Sequence, residues 1–140
     1  MGSNEELLTL FDSRLVGTED VNKRKAWIVE SLPSPSHMPV NEHEREVMKF
    51  RKRLWIDQEE GILLKRIDTL MADQPFASSG TNLKLEFENV GSGVWQPISI
   101  VLDLHAPMGK KVGLANRTVY HNSKFQKFDV QSTITVGPPD

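Results

Sequence analysis

The stretch Asn82-Leu83-Lys84-Leu85-Glu86-Phe87-Glu88-Asn89-Val90-Gly91-Ser92-Gly93 decides the fold class. Leu83, Leu85 and Phe87 alternate with Lys84, Glu86 and Glu88. That period puts the apolar side chains on one side of an extended chain and the charges on the other. One dry face and one wet face describe a strand of an antiparallel sheet. A strand is therefore predicted over 82–90, and Gly91-Ser92-Gly93 turns the chain. The alternation resumes over 94–106, where Ile98, Ile100, Leu102, Leu104 and Ala106 oppose Ser99, Val101, Asp103 and His105. Pro97 marks a strand start, an edge or a bulge, because proline cannot donate to a ladder.

The same reading extends outward. Pro107-Met108-Gly109 breaks the chain, and strands follow over 112–121 and 125–136 around His121-Asn122-Ser123-Lys124. Upstream, residues 48–57 alternate. Met48, Phe50, Lys52, Leu54 and Ile56 share one face; Lys49, Arg51, Arg53, Trp55 and Asp57 share the other. Gln58-Glu59-Glu60-Gly61 turns, with Gly61 suited to a left-handed conformation, and 62–71 return. Residues 14–21 and 25–31 read as a hairpin around Val21-Asn22-Lys23-Arg24, where Asn22 tolerates positive φ. In its second arm Trp27, Val29 and Ser31 face opposite to Ala26, Ile28 and Glu30. Pro33, Pro35 and Pro39 interrupt pairing, and residues 41–46 start a short helical turn. Residues 5–11 predict a short N-terminal helix with acids in its first turn. The tally is about eight strands on short connections, with no βαβ rhythm, which defines a mainly β, antiparallel meander.

Length bounds the organisation. The chain of 140 residues fits one domain, spanning 5–136, with residues 1–4 reading as a cloning remnant. Apolar residues make up 38% and charged residues 26%, the composition of a globular protein. With 17 basic and 19 acidic side chains the net charge is −2, so bulk electrostatics argue against a nucleic-acid partner. The absence of cysteine excludes a disulfide scaffold and a thiolate metal site. No apolar run approaches the roughly 18 residues of a membrane helix. Met1-Gly2-Ser3-Asn4-Glu5-Glu6 is polar and acidic, unlike a signal peptide. A native secretion signal is expected to have preceded it.

Candidate chemistry is sparse. The 4 histidines, His37, His43, His105 and His121, show neither H-x-x-x-H nor H-E-x-x-H spacing, so no metal ligand set is assigned and no cofactor is implied. Asp57, Glu59 and Glu60 cluster at a turn, where acids serve turn chemistry more often than catalysis across a cleft. No G-x-S-x-G elbow surrounds Ser78-Ser79-Gly80. Asn116-Arg117-Thr118 has the form of a glycosylation sequon, to which no role is assigned. No catalytic residue is assigned, and an enzyme reading is disfavoured. Lys49, Arg51 and Arg53 form a basic stripe beside Trp55, with Lys65 and Arg66 on the return strand. Such a stripe suits phosphates of nucleic acid or of anionic lipid headgroups, or is a solvated face neutralised across the strands by Asp57 or Asp68.

The apolar set carries the functional reading. Leu54, Ile56, Leu64, Leu83, Leu85, Phe87, Ile98, Ile100, Leu102 and Leu104 are expected on one sheet face. A single curved sheet cannot cover its own concave side; a packed interior needs a second layer. The helix over 5–11 is too small to supply one, so a ligand, a partner subunit or a missing N-terminal half is expected to fill the space.

The segments Arg53-Leu54-Trp55-Ile56-Asp57 and Gly61-Ile62-Leu63-Leu64-Lys65-Arg66-Ile67 combine with Gly93-Val94-Trp95-Gln96-Pro97 and Tyr120-His121-Asn122-Ser123-Lys124-Phe125-Gln126-Lys127-Phe128. In that order and spacing they resemble the LolA/LolB-like lipoprotein-sorting superfamily, closest to secreted members of the kind found in Acidobacteria. The resemblance covers residues 14–136. It implies a half-barrel, strongly curved and incomplete, plugged by helices, whose concave face binds acyl chains. Family members carry a longer N-terminal half, so the chain resembles the C-terminal portion of one. An uncovered edge or face then invites a homodimer.

The expected function is that of a non-enzymatic binding protein, periplasmic or outer-membrane associated. It would hold lipid or lipoprotein acyl chains on the apolar face, with Trp55 and Trp95 as rim anchors and peripheral membrane contact. The alternative is a protein-interaction module that self-associates through the exposed sheet.

Overall fold

The computed structural model describes residues 8–123 and 127–134. The chain is mainly β, and its strands follow one another as an antiparallel meander. Its contacts divide it into two compact units, Met1–Met71 and Ala72–Asp140.

The first unit runs β1 (Phe11–Val21), β2 (Arg24–Pro33), the short helix α1 (Glu42–Val47), β3 (Phe50–Asp57) and β4 (Leu63–Leu70). β1 pairs with β2, β2 with β3 and β3 with β4, each antiparallel. Tight turns set the register. Asn22 and Lys23 both adopt positive φ, at 49° and 66°, the geometry that matches a two-residue hairpin to strand twist. Gly61 sits at φ 70° as expected, and its N–H donates to the Asp57 carbonyl at 2.9 Å. The arms extend beyond the predicted hairpin bounds because Phe11↔Pro33 through Arg14↔Glu30 continue the ladder. Residues 8–10 are helical, but Phe11 already belongs to β1, and Glu5, Glu6 and Leu7 lie outside the described residues. The predicted turn over 41–46 is α1. Asn41 caps it by accepting the Glu44 N–H at 2.8 Å, and the Glu44 side chain reaches back to the Val40 N–H at 3.1 Å.

Both sides of this sheet bury side chains. On one side lie Phe11, Ser31, Lys52, Leu54, Asp68 and Leu70; on the other lie Ala26, Ile28, Trp55 and Asp57. The β3 facing follows the predicted alternation, with Leu54 and Lys52 opposite in direction to Trp55 and Arg53.

The second unit runs β5 (Asn82–Asn89), β6 (Trp95–Met108), β7 (Lys111–Ser123) and β8 (Lys127–Ile134). β5 pairs with β6, β6 with β7 and β7 with β8, again antiparallel. The predicted last strand corresponds to β8; Phe125, Gln126, Val136 and the residue before it lie outside the described residues. Pro97 sits at a bulge, where the register slips between Glu86 and Phe87 and leaves Ile98 as the extra residue of β6. The break predicted at Pro107 falls later. β6 runs to Met108 and turns at Gly109, φ 68°. The β5 ladder ends at Asp103, so around Pro107 the strand pairs only with β7 and tolerates a missing donor. The loop before β5 docks on β6: the Ser78 N–H donates to the His105 carbonyl at 2.8 Å, and the His105 N–H donates to the Thr81 hydroxyl at 2.9 Å.

Candidate functional site

The predicted apolar set falls into two groups. In the second unit the register brings Leu83 opposite Leu102 and Leu85 opposite Ile100, while Ile100 and Leu102 face Tyr120 and Thr118 of β7. Leu104 lies one step further along the same side of β6. Of this group Leu85 is buried at 5% exposure. Leu83, Phe87, Ile98, Ile100, Leu102 and Leu104 are all half-buried, and Tyr120 is 37% exposed. The opposite side of β6 carries Ser99, Val101, Asp103 and His105, also half-buried. Among the described side chains of β5, β6 and β7 neither side is fully dry, and an apolar strip stays partly open to water.

In the first unit Leu54 and Leu64 are buried, and Ile56 is half-buried opposite Trp27. Leu64 is the extra residue of a β4 bulge, between the pairs Trp55↔Lys65 and Ile56↔Leu63. Trp55, expected at a rim, is 5% exposed. Its ring lies under two cations, with Lys65 Nζ 4.5 Å and Arg53 Cζ 5.7 Å from the centroid. Trp95, the other expected rim residue, is half-buried and pairs with Asn89 at the start of β6.

Sequence reasoning missed a buried charge cluster. Lys52 Nζ lies 3.1 Å from Asp68 Oδ2, and Arg66 Nε lies 3.1 Å from Asp68 Oδ1. All three side chains are nearly inaccessible, and Lys52 also approaches the Phe11 ring at 5.6 Å. The alternation placed Lys52 among apolar neighbours, and that placement was the available signal. A lysine on a dry face must find a carboxylate.

Asp57, His37 and Glu44 play local roles. Asp57 accepts the Glu60 N–H at 2.8 Å and faces Arg24 at 3.4 Å, so it organises the β3–β4 turn. His37 Nε2 and Glu44 Oε1 meet at 2.9 Å. That hydrogen bond, with the one from Val40, holds the Glu44 carboxyl below the usual glutamate range. Among the described residues no group of His, Asp or Glu side chains gathers in a way that could hold a metal ion. No helix among them is long and apolar enough to cross a membrane.

One ion pair in the second unit predicts a pH-dependent contribution to stability. Arg117 Nε and Nη2 donate to Asp103 Oδ1 and Oδ2 at 2.6 and 2.9 Å across β6 and β7. These hydrogen bonds, reinforced by the guanidinium charge and opposed by partial burial, lower the Asp103 carboxyl below the usual aspartate range. A lowered folded-state value gives stability that is complete above the unfolded aspartate range. It is lost as pH falls through the folded value. Asp103→Asn is therefore expected to flatten the acid limb of the urea midpoint below that range. An unchanged acid limb would show that the pair contributes nothing measurable.

Compared with known proteins, the chain matches no family model, no curated protein and no solved structure.

Proposed function

We propose that this chain is a non-enzymatic cell-envelope protein that holds lipid or lipoprotein acyl chains on the apolar strip of its second unit. The observation that carries the reading is the half-buried state of Leu83, Phe87, Ile100, Leu102 and Leu104 beside the partly exposed Tyr120. An acyl chain laid along such a strip removes apolar surface from water at roughly 0.8 kcal/mol per methylene. No bond needs to form or break. The motif order that resembles the LolA/LolB-like superfamily supports a periplasmic or outer-membrane setting, in which such chains are the ligand class. A second reading, self-association through exposed sheet, is favoured by β1. It carries Leu15 at 59% and Val16 at 37% exposure and pairs with β2.

Native mass spectrometry separates the two. Protein stripped of lipid in denaturant, refolded and offered palmitate is expected to bind it as a monomer. Leu102→Glu is expected to abolish that binding, because a carboxylate on the strip must stay hydrated. A palmitate-free dimer that Leu15→Lys dissociates would replace the lipid reading with the second one.

A further inference from the structure

On β3 of the first unit one cation, Arg51, is answered by no acid among the described residues. Arg51 and Arg53 lie on one side of β3, opposite in direction to Lys52. The carboxylates expected to neutralise them are engaged elsewhere. Asp57 is buried at the turn against Arg24, and Asp68 faces the other side of the sheet with Lys52 and Arg66. What remains is Glu30, which both Arg14 and Arg53 approach, at 3.6 and 3.3 Å. Lys65 sits over the Trp55 ring. Arg51 is exposed and makes no ion pair among the described residues.

Arg51 and Arg53 share a recess. Glu30, Arg51, Lys52, Arg53, Ile67 and Thr69 line an open hollow of about 220 Å³, but the Lys52 ammonium lies on the other side of the sheet against Asp68. Thr69 is the register partner of Arg51, so the two side chains leave the sheet on the same side. Ile67, the partner of Arg53, adds an apolar wall that strengthens local electrostatics.

We infer that this recess binds a phosphate monoester group. Guanidinium forks match phosphate oxygens in pairs, and a threonine hydroxyl donates to a further oxygen. Glu30, already neutralised by Arg14 and Arg53, orients Arg53 rather than repelling the anion. Arg51 and Arg53 meet at one hollow instead of tracking a groove, and the chain as a whole is acidic at −2. A compact phosphate therefore fits better than a nucleic-acid backbone. The site is independent of the acyl-chain reading, which rests on the second unit. The phosphate can come from a soluble monoester or from a lipid headgroup such as phosphatidate.

Titration calorimetry at low salt with glycerol 3-phosphate, and flotation with phosphatidylcholine vesicles with and without phosphatidic acid, test the site and its source. Binding is expected in at least one arm, and added salt should weaken it. Arg51→Gln should lower affinity about tenfold or more, as loss of a charge-assisted contact does. Thr69→Val should weaken binding less, and Lys23→Gln, at the exposed β1–β2 turn and outside the recess, should change it little. Because Arg51 is exposed, the urea transition of Arg51→Gln should match that of the parent. Binding of glycerol 3-phosphate identifies a soluble source; binding confined to phosphatidate vesicles identifies a headgroup. The inference is overturned by no binding in either arm, or by a loss in Lys23→Gln equal to that in Arg51→Gln.

Discussion

Asp68→Asn is expected to destabilise the protein by about 3–5 kcal/mol, the cost of breaking a buried ion pair from one side. Asp68 is the carboxylate that both Lys52 Nζ and Arg66 Nε approach at 3.1 Å. Asparagine keeps the shape but removes the charge. Lys52 and Arg66 would then lose the anion that offsets their transfer out of water. The effect should exceed that of removing Glu30, whose partners Arg14 and Arg53 are largely exposed and already well hydrated. Urea unfolding followed by circular dichroism measures both. Replacing the whole cluster, as Lys52→Met with Asp68→Leu and Arg66→Met, should recover most of the loss, because apolar groups of similar volume replace buried ions at little cost. A loss for Asp68→Asn no larger than that for Glu30→Gln would show that water reaches the cluster.

The elements were legible wherever local chemistry decides them. Alternation over Leu83-Lys84-Leu85-Glu86-Phe87 specified β5, and Asn22 and Gly61 took the positive φ that their turns require. Asn41 with Glu44 formed the cap that a helix start needs. Bulges were harder to read. Period-two reading places Ile98 with Ile100, but Ile98 is the extra residue where the β5–β6 register slips. Pro97 hinted at the bulge without saying which residue would be extra. Leu64 presents the same problem in β4.

The candidate site was legible only in part, because burial depends on what packs above a face and not on the period within it. Leu54 and Leu102 occupy equivalent apolar phases of their strands, yet Leu54 is buried and Leu102 is half-open. Arg51 and Arg53 were read as a stripe with Asp57 and Asp68 as partners. Asp68 sits at an even position of β4 and so faces Lys52, while Asp57 is claimed by the turn. Pairwise charge matching across two strands needs the register, and the bulge at Leu64 lies between those strands.

Trp55 makes the sharpest contrast between the two kinds of role. A rim anchor would give up ligand affinity on truncation and leave stability nearly unchanged, within about 0.5 kcal/mol as surface positions do. The structure puts Trp55 at 5% exposure, opposite Ile28 on β2 and beneath Lys65 and Arg53. Trp55→Ala is therefore expected to cost about 3–5 kcal/mol in urea unfolding, through lost apolar burial and the void left behind. Part of that cost is the pair of cation–π contacts, whose lysine and arginine stems also shield the ring. The indole N–H makes no hydrogen bond among the described residues, so the nitrogen itself is dispensable. Trp55→Phe keeps an aromatic face for Lys65 and removes an unsatisfied donor, and it should recover most of the loss. Palmitate binding by Trp55→Phe should equal that of the parent, since the apolar strip lies in the second unit. Full stability of Trp55→Ala combined with weakened palmitate binding would return this residue to the rim.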